Sequence, residues 1–155
     1  MRLRPVRNIV KWAAAAVALG AAVIILATVE LPPRCTRIHG SGGAFTIEIA
    51  RLARGQARLF CARDDAGQTI RFILARASDG TVHSVLDACR QCYSYRKGYH
   101  LSRNGLVCRL CGNRYSVDHM MAGKASCAPI PVSHSQSGAT LTISAAALRA
   151  ARGLF

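Results

Sequence analysis

Acidic residues are scarce in this sequence. Seven Asp and Glu stand against 21 Lys and Arg among 155 residues, which gives a formal net charge of +14. Such an excess often points to nucleic acid or to an anionic membrane. The basic residues are scattered, however, with no run of five or more, and no aromatic pattern of an RNA-binding sheet is present. The sequence therefore argues against a nucleic-acid partner.

The residue sets that mark most independent enzymes are also missing. The sequence has no Ser-His-Asp arrangement, no catalytic carboxylate pair and no glycine-rich phosphate loop. The histidines His83, His100, His119 and His134 have no partner at a ligand-pair spacing, so each is interpreted as a surface or hydrogen-bonded residue. Copper binding by His119 and the two methionines after it is disfavoured, because three adjacent residues cannot all face one metal. These absences favour a role other than independent catalysis.

One long apolar run lies near the N-terminus. Residues 12–29 carry no charge, Arg2, Arg4, Arg7 and Lys11 precede them, and Pro32 and Pro33 follow. The run predicts a transmembrane helix over 12–31, after a cytoplasmic basic segment at 1–11. The positive-inside rule places the rest of the chain across the membrane. A cleavable signal peptide is the alternative, but the apolar run is long for one and no clear A-x-A cleavage site follows.

The remaining chain predicts a small, mainly β domain. Two prolines and three glycines mark residues 32–43 as a linker, and the exported domain is predicted at 44–155. Short alternating segments predict strands at 45–50, 57–61, 69–75 and 81–86, and Asp79-Gly80 is typical of a hairpin turn. These segments predict an antiparallel meander of three or four strands that leads into a Cys-rich, ribbon-like region. Further strands are predicted at 105–108, 114–117 and 141–144, with a short helix at 145–152.

Five of the seven cysteines are clustered. Cys89 and Cys92 form one C-x-x-C pair, Cys108 and Cys111 form another after fifteen residues, and Cys127 follows. Two such turns can point four thiolates at one centre, and this spacing is typical of a metal site. Four thiolates suit zinc, a single iron ion or an iron–sulfur cluster, so the spacing does not identify the metal. A structural zinc ribbon is the simplest interpretation. Thiol–disulfide exchange is disfavoured, because no thioredoxin-like βαβ pattern surrounds the pairs.

Cys35 and Cys61 lie outside this cluster. In an oxidising compartment free thiols tend to pair. Cys35 and Cys61 could form a disulfide with each other, or Cys61 could pair with Cys127. The sequence leaves these alternatives open.

The chain resembles the FtrD-like membrane iron–sulfur protein family of bacteria over about residues 43 to 150. The resemblance rests on a long, irregular series of motifs: Asp87-Ala-Cys-Arg-Gln-Cys92, Lys97-Gly-Tyr99, Val107-Cys-Arg-Leu-Cys-Gly112 and Cys127-Ala-Pro-Ile-Pro131. It implies that Cys89, Cys92, Cys108, Cys111 and Cys127 are the functional cysteines. It also implies iron or an iron–sulfur cluster as the cofactor and an association with ferrous-iron uptake.

Together the residues and the resemblance predict a single-pass protein of the bacterial inner membrane with a periplasmic metal-binding domain. Its predicted role is electron transfer or iron handling beside a larger membrane complex such as an iron permease. The alternative is a zinc ribbon that serves as a structural or assembly subunit without redox chemistry.

Overall fold

The computed structural model describes residues 34–120 and 127–155. The predicted cytoplasmic segment at 1–11 and the predicted transmembrane helix at 12–31 lie outside these residues. Within the described ranges no helix combines the length and the apolar character needed to cross a membrane. One compact unit spans Arg34–Phe155.

The described chain is mainly β, as the alternating segments predict. Its strands are, in order, β1 (Thr36–Ile38), β2 (Gly40–Ser41), β3 (Ala44–Glu48), β4 (Gln56–Arg63), β5 (Thr69–Arg76), β6 (Val82–Cys89), β7 (Tyr99–Ser102), β8 (Gly105–Cys108), β9 (Arg114–Ser116), β10 (Pro129–Pro131), β11 (Ser135–Ser137) and β12 (Thr140–Ser144). They form a five-stranded sheet in the order β1-β4-β5-β6-β10, a four-stranded sheet β11-β12-β3-β2 and a three-stranded sheet β7-β8-β9.

The centre of the five-stranded sheet is the predicted antiparallel meander. Strands β4, β5 and β6 pair antiparallel with their chain neighbours. Asp64 shapes the β4–β5 turn, because its Oδ1 accepts from the backbone N–H groups of Ala66 and Gln68. Gly80 has φ +98° in the β5–β6 turn, a conformation that favours glycine. Turn chemistry and alternation therefore agree, and this part of the fold is confirmed.

Strand β5 divides the interior into two cores. Its residues Ile70, Phe72 and Leu74 face one core, which includes apolar residues of β3, β12 and the C-terminal helix. Ile73 and Ala75 face the other core, which includes the clustered cysteines. Successive side chains of a strand point to opposite faces, so a continuous apolar run marks a strand that is covered on both sides.

Two strands occupy the stretch that the sequence analysis takes as a linker. Strand β1 pairs parallel to β4, and β2 pairs antiparallel to β3. Cys35 forms a disulfide with Cys61 of β4, with their Cα atoms 5.7 Å apart. The disulfide fixes β1 against the sheet edge, which compensates for the short length of this strand. Of the two pairings that the sequence leaves open, the structure contains Cys35–Cys61.

The chain ends in a short helix, α1 (Ala145–Arg149), followed by a 3-10 turn, Arg152–Leu154. The Ser144 hydroxyl caps α1 by accepting from the N–H of Ala147 at 3.1 Å. Leu148 is fully buried, so α1 belongs to the core as well as to the surface. Arg152 forms ion pairs with Asp64 and Asp65 of the β4–β5 turn. These contacts attach the C-terminus to the central sheet.

Candidate metal centre

The first C-x-x-C turn begins at the end of β6. Val85 and Cys89 lie four positions apart in β6, so their side chains point to the same face of the strand, toward the second core. The N–H of Cys92 donates to the carbonyl of Cys89 at 3.2 Å and approaches its Sγ at 3.1 Å. A 3-10 turn at Tyr93–Tyr95 follows directly. The backbone therefore wraps around the Cys89 sulfur and directs a donor to it.

The second turn joins β8 to β9. The N–H of Gly112 donates to the carbonyl of Cys108 at 3.0 Å, and the N–H of Cys108 donates to the carbonyl of Asn113 at 2.9 Å. Gly112 has φ +74°, so the sharp turn after Cys111 uses a conformation that costs glycine little.

Cys127, two residues before β10, lies beside the first turn. Pro129 of β10 lies opposite Cys89 of β6, and the N–H of Arg90 donates to the carbonyl of Ala128 at 3.1 Å. Both prolines of β10 lie in an edge strand, where a missing N–H costs no ladder bond. The Cys-x-Pro-Ile-Pro segment therefore forms the edge of the five-stranded sheet beside the first cysteine pair.

All five clustered cysteines converge. Their Sγ atoms form two groups, Cys89–Cys92–Cys127 and Cys92–Cys108–Cys111, and the sulfurs within each group lie within 4.8 Å of one another. The Sγ atoms of Cys92 and Cys127 are 3.6 Å apart. Cys92 belongs to both groups and so joins the two turns. Cys111 is exposed, whereas the other four are buried.

The donor set fits a thiophilic metal. Two sulfurs that bind one tetrahedral ion at about 2.3 Å are separated by about 3.8 Å, close to the Cys92–Cys127 distance. Hydrogen bonding to Cys89, burial and the contact with Cys127 together raise the pKa of the Cys92 thiol. A metal ion bound here would replace the Cys92 proton, because the thiolate is the form that ligates a metal. Cys89, Cys92, Cys108, Cys111 and Cys127 are thus the residues that could hold a metal, and their ligation stays a prediction.

A buried carboxylate orders the segment between the two turns. Asp87 is 2% exposed, and its Oδ1 accepts from the N–H of Tyr99 at 2.6 Å. A Cβ at Gly98 would lie 2.5 Å from this same oxygen. The Lys-Gly-Tyr motif is thereby explained, because Gly98 lets the chain pass directly over Asp87. The sequence did not reveal that Tyr99 is the hydrogen-bond partner of Asp87.

Arg71 provides the countercharge for Asp87. Its Nε lies 3.2 Å from Asp87 Oδ2 and forms an ion pair with it, although Oδ2 has no hydrogen-bond partner among the described residues. Burial raises the pKa of the Asp87 carboxyl, while the Tyr99 N–H and the charges of Arg71 and Arg109 oppose that rise. A buried carboxylate is tolerated only where such partners compensate for lost hydration.

Tyr99 and Arg109 extend this arrangement to the cysteines. The Tyr99 hydroxyl donates to the carbonyl of Cys127 at 3.3 Å. The backbone N–H of Arg109 donates to the carbonyl of Gly98 at 3.0 Å. The side-chain Nε of Arg109 donates to the carbonyl of Tyr99 at 3.1 Å. Burial raises the pKa of the Tyr99 phenol, so the ring remains a neutral donor. One tyrosine therefore connects β6, the second turn and Cys127.

Histidine does not enter the centre. In residues 34–120 and 127–155, both groups of three or more potential metal ligands consist of cysteines alone. His83 is half-buried in β6, and His100 and His119 are exposed. Met121 lies outside the described residues.

Residues 52–155 match the family described as membrane iron-sulfur containing protein FtrD-like. The chain belongs to the FtrD-like family. The match includes all five clustered cysteines and the network of Asp87, Gly98 and Tyr99. It confirms the resemblance drawn from the motifs, and the family description supports a metal-binding, membrane-associated protein. Comparisons with curated proteins and with solved structures found no match.

Proposed function

We propose that this FtrD-like domain holds an iron–sulfur cluster or iron through Cys89, Cys92, Cys108, Cys111 and Cys127. In this proposal the centre serves electron transfer or iron handling beside a larger membrane complex, such as an iron permease. The observation that carries the proposal is the convergence of five sulfurs in two groups that share Cys92. A closed zinc ribbon requires four thiolates, and the fifth cysteine exceeds that number.

The surrounding residues would hold such a centre in a fixed environment. Four of the five sulfurs are buried beside apolar residues that include Leu106, Val117 and Met120. Burial limits the access of water, and a backbone N–H near a sulfur favours its negative charge. Arg90 and Arg109, next to Cys89 and Cys108, would favour the more negative reduced state. When bound, the metal group would supply one-electron chemistry that no side chain here offers.

The compartment is part of the proposal. The basic flank and apolar run at residues 1–31 favour a single-pass protein with a periplasmic domain. The Cys35–Cys61 disulfide supports this location, because structural disulfides persist in oxidising compartments and are rare in the cytosol.

Zinc is the alternative metal, and the spacing of the sulfurs is compatible with it. Sulfurs within 4.8 Å of one another fit a single tetrahedral ion, and zinc and iron share that geometry. In this alternative the centre only holds the two turns and β10 together, and the domain is a structural or assembly subunit.

Single cysteine-to-serine variants test the ligand set. Cys92→Ser should lose nearly all bound metal because Cys92 belongs to both groups, and serine at the other four positions should lose most of it. Each loss should also lower the free energy of unfolding, since metal binding and folding are coupled in such sites. The matched control is Cys35→Ala/Cys61→Ala, which removes two cysteines outside the centre and should retain the metal. Full metal content in any two of the C-x-x-C variants would contradict the site.

A further inference from the structure

The surface around the two cysteine turns carries charge of one sign. Residues 88–117 contain no acidic residue, and their six basic residues are all exposed: Arg90, Arg96, Lys97, Arg103, Arg109 and Arg114. In the rest of the described chain, ten basic residues are accompanied by six acidic ones. Within the described chain, the positive charge is therefore least offset by acidic residues in the segment that carries the two cysteine turns.

These basic residues also lack ion-pair partners. Every salt bridge within residues 34–120 and 127–155 involves Arg71, Arg149 or Arg152, and none involves a residue of 88–117. Arg109 donates to a backbone carbonyl and forms no salt bridge, although its charge acts at longer range on the buried Asp87. Uncompensated charges on one face add to a field that attracts the opposite charge.

Exposed apolar side chains lie in the same place. The large hydrophobic residues that are exposed in the described chain are Tyr93, Tyr95 and Leu110, at 41%, 64% and 43%. Tyr93 follows Cys92, and Leu110 precedes Cys111, whose Sγ atoms lie within 4.8 Å of each other. The two turns that carry these exposed side chains therefore lie together, and Cys111 is the exposed one of the five clustered cysteines.

We propose that this surface docks an acidic patch of a redox partner protein. We define the knuckle face as Arg90, Tyr93, Tyr95, Arg96, Lys97, Leu110 and Arg114 around Cys111. The proposal rests on the proposed function, because one electron would pass between the partner and the centre. One of them is oxidised as the other is reduced, and no bond forms or breaks.

The composition of the knuckle face suits a protein partner of this kind. Transient redox complexes use small interfaces in which complementary charge speeds and orients the encounter. Tyrosine and arginine are enriched where such contacts are made. The knuckle face places the exposed part of the centre inside the contact, which shortens the path for an electron. An anionic lipid surface would satisfy the charge but would bring no electron donor or acceptor to Cys111.

The test measures binding to the full chain in nanodiscs of neutral phosphatidylcholine. The probe is labelled flavodoxin, a small acidic redox protein, and its fluorescence anisotropy gives Kd between about 20 and 200 mM salt.

The triple variant Arg90→Gln/Lys97→Gln/Arg114→Gln should weaken binding about tenfold at low salt and flatten the salt dependence of Kd. The matched control is Arg37→Gln/Arg51→Gln/Arg58→Gln, which removes the same charge from exposed positions elsewhere and should change Kd less than about threefold. Tyr95→Ala should weaken binding without altering the salt dependence.

Two results would overturn the proposal. One is a lack of binding, or equal weakening by both triple variants, since the face would then have no special role. The other is a protein that does not bind flavodoxin but binds phosphatidylglycerol vesicles tightly and in a way that depends on Arg90. That result would make the knuckle face a lipid-binding surface. Binding is measured on zinc-substituted protein as well, where no electron can pass. If the zinc-substituted protein binds flavodoxin and the centre of the purified protein cannot be reduced, electron transfer is refuted. The docking face would still stand.

Discussion

At the scale of single residues, the contact between Gly98 and Asp87 is the most restrictive feature near the cysteines. Gly98 has φ +65°, and the Asp87 carboxyl atoms lie 2.5 to 2.7 Å from where its Cβ would be. Asp87 is fixed in turn by Tyr99 and Arg71, so it cannot move aside without losing buried partners. The path of the chain between the two turns therefore depends on glycine at position 98.

Gly98→Ala should lower the free energy of unfolding by about 3 kcal/mol, from the backbone conformation and the clash together. It should also reduce bound metal, because Tyr99 and Arg109 follow the displaced backbone. The measurement is urea unfolding with metal analysis. Gly138→Ala is the control, since Gly138 has φ +57° and nothing within 4 Å of its Cβ position. It should cost about 1 kcal/mol and leave the metal bound. Equal effects of both variants would show that Asp87 exerts no constraint.

Asp64 and Arg152 give a second residue-scale prediction. The hydrogen bond from Arg152 is the main cause that lowers the pKa of Asp64 below its ordinary 3.8, and backbone donors of Gln68 and Ala66 add to it. A carboxyl whose pKa is lower in the folded chain stabilises that chain above its ordinary pKa. The stabilisation is lost as the pH falls through the folded pKa.

The stability difference between the wild type and Arg152→Gln should therefore shrink as the pH falls from about 5 to 2. Urea midpoints across this range provide the measurement. Arg149→Gln is the control, because Arg149 Nη1 lies 3.5 Å from Asp65 Oδ2 and both side chains are exposed. A difference that stays constant over the whole range would show that Arg152 does not act through Asp64.

The sequence could identify the cysteines but not the residues that order them. Spacing alone indicated Cys89, Cys92, Cys108 and Cys111, because a C-x-x-C turn is local. Asp87 and Gly98 are eleven positions apart, and their contact exists only because the folded chain brings the start of β7 against Asp87 of β6. No local pattern encodes that contact, so the reason for the Lys-Gly-Tyr motif was visible only in three dimensions.

At the scale of elements, the disulfide and β1 form one unit. A three-residue strand in parallel pairing forms few hydrogen bonds, and the Cys35–Cys61 disulfide adds a covalent link between β1 and β4. Alternation and turn chemistry predicted β3 to β6, since each is long enough to show a period of two. Strands β1 and β2 were not predicted, because both are too short to show a period of two; in addition, β1 pairs with β4, far along the chain, and β2 contains a glycine.

Removing the disulfide should destabilise the domain without emptying the metal centre. The two cysteines are 26 residues apart, and a loop of that size corresponds to about 3 kcal/mol of lost stabilisation. Cys35→Ala/Cys61→Ala is the variant of choice, because a single substitution would leave a thiol able to mispair. Unfolding by urea, with and without a reductant, measures the effect. A variant as stable as the oxidised wild type would show that β1 holds without the link.

At the scale of the whole molecule, the predicted topology can be tested directly. The basic residues before the apolar run predict that the N-terminus is cytoplasmic and that the domain is exported. Alkaline phosphatase fused after Phe155 should be active, because it requires the periplasm, whereas green fluorescent protein at the same point should be dark. The opposite pattern would place the domain in the cytoplasm and leave the disulfide without an oxidising compartment.

The proposed function requires that the five clustered sulfurs hold a redox-active iron centre. The most direct measurement is metal and sulfide analysis of the full chain, purified with and without oxygen, combined with its visible absorption before and after reduction. We expect stoichiometric iron and a colour that bleaches on reduction, both greater in the anaerobic sample, since exposed clusters are lost in air. Cys92→Ser should abolish the colour. A colourless protein with one zinc per chain and no reducible signal would contradict the account and leave a structural subunit.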